Sequence, residues 1–332
     1  PEEEPEPEVS SSLTREKIEK MVKNGKSLAG ENLTGLDLSG LDLSGGDFTE
    51  TDLRRTLLTK CRFHQTLFTQ ANMEACDLSG SDLTEAQLSG VLLASGNLGR
   101  CNLSDADLTG ANLIGANMVE IVAHRTLFEA ALMENVRCND AKACEADFSE
   151  AQLSHAVFQR CDLSKADFSQ CRLEGADFTD ATLKEAILEG VSAVKAIFDT
   201  ADITLLRASE KSDFTNGSFK SVKGLESIWH EAILDGADFS FSTMEGADFS
   251  DASLVRATLH ATDMKLSRFI RADLGQATCT HMNLFQAILE KANVTETDFS
   301  HSNLYGAELL GATIKNTVVN GTNLKMTGEG DD

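Results

Sequence analysis

A five-residue repeat runs through most of this chain and constrains its fold more than any other feature. The stretch 106–118 shows the pattern: a small residue, Asp or Asn, a large apolar residue, and two further residues that are mostly polar. A period of five fits neither an α-helix, with 3.6 residues per turn, nor a β-strand, with its alternation of two. The repeat therefore predicts a chain that turns a corner after each pentad and winds into a regular solenoid.

The repeat can be counted from its apolar centre. Every fifth residue over 28–203 gives 36 positions, of which 32 are Leu, Phe, Met or Ile. A second series over 214–324 gives 23 positions, of which 21 are large and apolar. The two series are separated by 11 residues instead of ten, so we expect one extra residue within 204–213. We expect a loop or bulge over 204–230 to absorb this change of register.

The pattern Ala-Asp/Asn-Leu-x-x resembles that of the pentapeptide-repeat family, over about residues 26–326. The resemblance implies an all-β fold, a right-handed quadrilateral parallel β-helix with four pentads per coil. The pentads would then make about 15 coils, in a rod about 70 Å long. Residues 20 apart should stack in a filled core. The phenylalanines predict two such columns, on opposite faces: Phe128, Phe148 and Phe168, and Phe158, Phe178 and Phe198.

Both ends of the chain depart from the repeat. Residues 1–12 form an acidic Pro/Glu run, which predicts a solvated linker to a preceding part of a larger protein. Residues 13–25 predict a short helix, with Thr14 as its N-cap, that covers the open edge of the first coil. Residues 327–332 predict a disordered acidic tail.

The sequence lacks the patterns that carry chemistry. Seven of the eight cysteines fall at inward positions of the repeat, and no C-x-x-C pair occurs, which favours buried thiols in a reducing compartment such as the bacterial cytoplasm. No hydrolase, P-loop or zinc-protease motif is present. We therefore predict no catalytic residue, no cofactor, no metal site and no enzymatic activity. His281 and His301 predict a solvated stacked pair, with a weak metal-binding pair as the alternative.

An irregular block over 119–145 provides the first candidate interaction surface. Val122, Leu127 and Leu132 occupy the outward slot that Asp or Asn usually fills. An exposed apolar strip of this kind is typical of a partner site. Local repacking around small centres is the alternative interpretation.

Two further stretches add candidates. Arg207 and Lys211 lie within 204–213, the segment where the register slips, which predicts either a specific surface feature or a tolerated insertion. Val318 lies in the last coil, where we expect either a homo-oligomer contact or a neighbouring domain.

The charge of the chain restricts its partners. The net charge of −24 argues against binding to nucleic acid or to membrane surfaces and favours basic protein partners. Our first hypothesis is a scaffold domain of a larger bacterial protein. Residues 25–45, preceded by a helix and a linker, resemble the pentapeptide-repeat tails of type VI secretion accessory proteins, whose partners are spike and effector proteins.

Two alternatives remain. Some members of the family mimic DNA and bind DNA gyrase, and an acidic rod supports that hypothesis. The second alternative is the β-helix domain of a host-directed secreted effector. The expected location is the bacterial cytoplasm, with export through a secretion apparatus as the alternative under the first hypothesis and this last one.

Overall fold

The computed structural model describes residues 13–327. The predicted linker 1–12 lies outside these residues, as does the predicted acidic tail except for Thr327. No helix within the described part of the chain is long and apolar enough to cross a membrane.

The chain winds into a four-sided parallel β-helix, as the sequence predicts. Each bridged residue pairs in parallel with the residue 20 further on until the register changes, as Asn32 pairs with Asp52 and Asp52 with Asn72. Twenty residues, or four pentads, therefore make one coil. The ladder runs from the bridge Asn32–Asp52 to the bridge Asn303–Asn323. Each side contributes a single bridged residue per coil, so isolated bridges take the place of longer strands.

A tight turn at every corner makes the coil square. The amide of Thr51 donates to the carbonyl of Phe48 at 3.2 Å, and the residue before Thr51, Glu50, has a φ of 55°. A positive φ at the third position is the mark of a type II turn, which normally selects Gly or Asn. Here Gly fills this position at some corners, but the same conformation recurs at many others with residues such as Glu, Arg, Lys or Gln in place. The backbone ladders on both sides of each corner therefore impose it.

Stacked phenylalanines fill the core, which confirms the two predicted columns. In the first column, the ring centroids of successive phenylalanines lie 4.9 and 4.8 Å apart. In the second they lie 5.1 and 4.8 Å apart, and the column continues through Phe219 and Phe239. Phe158 contacts Phe168 edge to face at 6.0 Å, so the columns also pack against each other.

The small inward residues hold neighbouring coils together by hydrogen bonds that the sequence did not reveal. The Thr51 hydroxyl donates to the Leu28 carbonyl, 23 residues earlier, at 3.0 Å. Cysteines do the same: the Cys76 thiol donates to the Leu53 carbonyl at 2.7 Å. Burial raises the pKa of Cys76 to about 12, so the thiol keeps its proton. These thiols act as donors and not only as small apolar groups.

Helix α1, Arg15–Lys23, covers the first coil, as expected. The Thr14 side chain accepts from the Lys17 amide at 3.4 Å, and Ile18 is fully buried against the core. The guanidinium of Arg15 donates to the carbonyls of Asp37 and Ser39, at 3.1 and 2.5 Å. The N-terminal edge of the solenoid is thereby closed.

The extra residue lies in one corner, which corrects the wider loop that we expected over 204–230. After the bridged Arg207, the next bridged residue is Asp213, six positions on, and both Glu210 and Lys211 have a positive φ. From Asp213 onwards the regular period returns, because the widened corner absorbs the insertion without changing which side chains face inward. Trp229 is fully buried in the regular coil that follows.

Candidate interaction surface

The four sides of the rod are best named by their first centres. Side 1 begins with Leu28, side 2 with Leu33, side 3 with Leu38 and side 4 with Leu43, and each continues one coil at a time. Sides 1 and 3 are opposite each other. The residue before each centre and the two residues after it face outward.

The structure corrects the predicted apolar strip of the 119–145 block. Val122 lies on side 4, Leu127 on side 1 and Leu132 on side 2, because successive pentads lie on successive sides. The three residues form a belt around one coil, so no single flat partner surface can contact all of them at once.

Side 1 carries the most uniform charge of the rod. Over its first nine coils, residues 27–190, its outward positions contain eight carboxylates and no Lys or Arg. We call this surface the acidic side. Its carboxylates belong to Asp47, Glu50, Asp107, Glu129, Asp147, Glu150, Asp167 and Glu189. At about 4.8 Å per coil, the nine coils span about 38 Å, with one negative charge per about 5 Å.

Local turn chemistry explains why aspartate is placed there. The Asp147 carboxylate accepts from the Ser149 amide two residues on at 2.9 Å, and Asp167 accepts from the Ser169 amide at 2.8 Å. This Asx-type contact closes the corner. Asparagine makes the same contact elsewhere, as when Asn102 accepts from the Ser104 amide at 3.1 Å. The fold therefore needs an acceptor at this position but not a charge.

Hydrogen bonds keep part of the acidic side ionised. The Ser27 hydroxyl donates to Asp47 at 2.5 Å and, together with the Thr49 hydroxyl, holds the pKa of that carboxyl below its usual value. Three large apolar residues interrupt the row of acids: Leu67 and Leu127, which are 40% and 42% exposed, and Ile187, which is partly buried. The acidic side thus combines negative charge with apolar contact points.

The opposite side has a different composition. Over the same coils side 3 carries four cations, Lys60, Arg100, Arg137 and Arg160. Two of them pair with carboxylates of an adjacent coil: Arg100 with Glu120 at 3.0 Å, and Arg160 with Asp140 at 2.7 Å. Side 3 therefore compensates part of its own charge, whereas on the acidic side the one carboxylate that pairs with a described cation is Glu189, at its end.

Arg207 and Lys211 lie where the acidic side ends. Arg207 is the first cation on side 1, and its guanidinium pairs with Glu189 at 2.5 Å. Lys211 is exposed in the widened corner directly after it. These two residues are close together, and Leu127 lies on the same side several coils earlier.

Comparison of the sequence with models of known protein families identifies the family of this chain. A family model for pentapeptide repeats matches residues 25–121 and 232–325 in overlapping or adjoining segments, and a model for a pentapeptide repeat region matches residues 121–198. The chain is a pentapeptide-repeat protein. The segment 199–231 that neither model matches contains the widened corner.

Solved structures of other pentapeptide-repeat proteins are similar to this one. HetL from the cyanobacterium Nostoc, involved in heterocyst differentiation regulation, is 20% identical, with 96% of this chain and 99% of HetL covered and a TM-score of 0.30. A trypsin-treated form of QnrB1, a plasmid-mediated fluoroquinolone resistance protein, is 17% identical, with 69% and 92% covered and a TM-score of 0.27.

A protein from the Arabidopsis thaliana thylakoid lumen is 25% identical, with 37% of this chain and 64% of that protein covered and a TM-score of 0.17. At these scores the neighbours carry no inference about function. A comparison with curated protein sequences finds no match.

The last coil of this pentapeptide-repeat protein exposes residues that are buried in earlier coils. Ile314 and Val319 occupy centre positions, yet Ile314 is 55% exposed, whereas Val294, one coil earlier on the same side, is buried. Val318 is also exposed on side 3. Among the described residues nothing covers this end, in contrast to helix α1 at the other.

Groups that could carry chemistry are sparse in the described part of the chain. No cluster of three or more His, Cys, Asp or Glu side chains is arranged there to hold a metal ion. All eight cysteines are free, and only Cys144 is partly exposed. Burial and a hydrogen bond to Asp162 raise the pKa of Cys144 to about 11, which disfavours a reactive thiolate.

Proposed function

We propose that this protein is a non-enzymatic interaction rod whose acidic side binds a basic surface of a protein partner. The observation that supports this most directly is the run of eight outward carboxylates without a cation over residues 27–190. A rigid solenoid holds these charges at fixed intervals, so a partner meets a preorganised row and not a flexible acidic tail. Leu67 and Leu127 offer apolar contacts within the same row.

Neutralising the acidic side tests this proposal. The variant Asp107→Asn, Asp147→Asn, Asp167→Asn and Glu150→Gln removes four charges, and each new asparagine keeps the acceptor that closes its corner. A Lys/Arg-rich peptide of about 12 residues, about 40 Å when extended, matches the length of the row. We expect the variant to bind this peptide at least about tenfold more weakly at low salt, with the difference shrinking as salt increases.

The opposite side provides the matched control. The variant Asp77→Asn, Asp177→Asn, Asp180→Asn and Asp199→Asn removes four charges from side 3 and changes the net charge equally. If both variants weaken binding to the same degree, only the total charge matters and the proposal of an acidic side is wrong.

A more specific form of the proposal is an adaptor or effector-loading component of a type VI secretion system. It is supported only by the resemblance of residues 25–45, with the preceding helix and linker, to the tails of secretion accessory proteins. The test is capture of purified spike and neighbouring effector proteins by the full chain. Recovery of neither protein excludes this role without affecting the peptide experiment. We also propose a cytoplasmic location before any export, since all eight thiols are free.

A DNA mimic that binds DNA gyrase is the alternative. The acidic side has one charge per about 5 Å, close to the 3.4 Å spacing along one strand of DNA. A supercoiling assay tests this: micromolar protein should inhibit or protect gyrase, and the acidic-side variant should lose the effect. No effect of the unmodified protein excludes this alternative. The β-helix domain of a host-directed effector is a second alternative, which no feature of the surface favours.

We also propose that two copies of the chain contact each other through their last coils. The last coil of one copy would cover the exposed side chains of Ile314, Val318 and Val319 of the other. Because helix α1 covers the other end, a head-to-tail contact is blocked and a symmetric pair is the expected form. Analytical ultracentrifugation should show dimers that Ile314→Asp converts to monomers. A concentration-independent monomer of the unmodified chain contradicts this contact.

A further inference from the structure

We infer that His281 and His301 form a two-imidazole site for a borderline divalent transition-metal ion. The two side chains occupy the same outward position of side 3 in adjacent coils, and their ring centroids lie 5.1 Å apart with the planes tilted by 32°. A third imidazole, His260, lies 5.4 Å from His281, so three rings form a column along one edge.

The ring separation matches what a shared ion requires. An imidazole nitrogen binds such an ion at about 2.0–2.1 Å, which places the ion about 3.2 Å from the ring centroid. Two rings at a tetrahedral angle around one ion then have centroids about 5.2 Å apart. The observed 5.1 Å is close to this separation, and the rings must rotate so that one nitrogen of each faces the ion. Rotation about the second side-chain torsion of histidine is soft, and both rings are exposed.

The surroundings leave these two imidazoles available. Among residues 13–327, only His230, on side 1, has a carboxylate oxygen within 4 Å of a ring nitrogen. Neither His281 nor His301 is therefore held by an ion pair. His260 is engaged differently, because its Nδ1 lies 2.7 Å from the Thr280 hydroxyl. The His281–His301 pair is thus the freer part of the column.

A glycine makes room for one of the rings. A Cβ atom at Gly321, one coil after His301 at the same position, would lie 2.7 Å from His301 Nδ1. Any larger residue at 321 would force that ring away from its present position. The glycine therefore lets the His301 ring lean over the last coil, and in this position its centroid lies 5.1 Å from that of His281.

The chemistry of the pair selects the ion. Neutral imidazole suits Zn²⁺, Ni²⁺ and Cu²⁺, and the general order of affinities places Cu²⁺ highest. The pair supplies two ligands and leaves the other coordination positions to water or to a donor from another molecule. The net charge of −24 raises the local concentration of cations around the rod. The inference does not depend on the proposed interaction with a basic partner.

Calorimetric titration of Cu²⁺ into the full chain, without a histidine tag, tests this site. We expect one tight equivalent, and either His281→Ala or His301→Ala should weaken it at least about tenfold, which is about 1.4 kcal/mol. Because the ion would link adjacent coils, it should also slow amide hydrogen exchange over 299–324. Acid should release the ion, since protonated imidazole cannot bind a metal.

His155→Ala is the matched control. His155 occupies the same kind of outward corner position, with Gly175 one coil later, just as Gly321 follows His301, and it has no imidazole stacked on it among the described residues. This substitution should leave the tight equivalent unchanged. If His155→Ala weakens binding as much as His281→Ala, or if the double variant of His281 and His301 binds as the unmodified chain does, the site does not exist.

Discussion

The phenylalanine column gives the sharpest test of the fold. Phe178 is fully buried and stacks on Phe158 and Phe198, at 5.1 and 4.8 Å, and meets Phe168 edge to face at 5.7 Å. Replacing a buried Phe by Ala usually costs about 3–5 kcal/mol in free energy of unfolding. Within that range, the loss of several aromatic pairs, each worth about 1 kcal/mol, moves the expected cost upward. We therefore expect Phe178→Ala to lie near the top of that range, at about 5 kcal/mol.

Two further variants separate stacking from burial. Phe178→Leu keeps an apolar side chain of the kind found at most other centres, so it should cost only about 1–2 kcal/mol. Phe241→Ala removes a ring that is 62% exposed and should change stability by less than about 0.5 kcal/mol. Comparison of the three values isolates the contribution of the column.

The assay is equilibrium unfolding in guanidinium chloride. The single tryptophan, Trp229, is fully buried two to three coils from Phe178 and reports on the core by fluorescence, while circular dichroism reports on the whole solenoid. Because solenoids can unfold in parts, the two signals must coincide before a single free energy is calculated. A cost below about 1 kcal/mol for Phe178→Ala would refute the stacked, filled core.

Three other predictions follow from the described residues. Ile18→Asp should uncover the first coil and speed amide hydrogen exchange at the N-terminal end while leaving Trp229 fluorescence unchanged; global unfolding would contradict a local cap. In the folded protein a thiol reagent should react with Cys144 before any other thiol, though slowly because its pKa is raised to about 11, and a second thiol that reacts as fast would contradict the buried positions of the others. The Arg160 guanidinium holds the pKa of Asp140 below its usual value. The ion pair between these two side chains therefore stabilises the fold above about pH 4, and this stabilisation is lost as the pH falls further. Below that pH, the free energy of unfolding should fall less steeply for Arg160→Gln than for the unmodified chain.

The interior of the rod was predictable because the repeat records it directly. A large apolar residue every fifth position identifies the centres, and a separation of 20 identifies the columns once four pentads make a coil. Phe128 and Phe148 stack for this reason, and Thr14 caps its helix through a purely local contact. Local periodicity and local capping are properties that a linear sequence contains.

The surface was less predictable, since neighbours on it are a coil apart in sequence. Val122 and Leu127 are five residues apart but lie on different sides, whereas Asp107, Leu127 and Asp147 form one row. The acidic side emerges only when residues are sorted by side. The sequence showed that one residue was inserted, but only the structure confined it to the corner with Glu210 and Lys211.

The sequence by itself determined that this chain is a filled solenoid, because a period of five with a large apolar centre has few other ways to bury its apolar side chains. Tertiary structure decided what the outside presents. Coil-to-coil contacts convert a separation of 20 residues into one of about 5 Å, and that conversion makes neighbours of His281 and His301 and aligns the carboxylates of the acidic side.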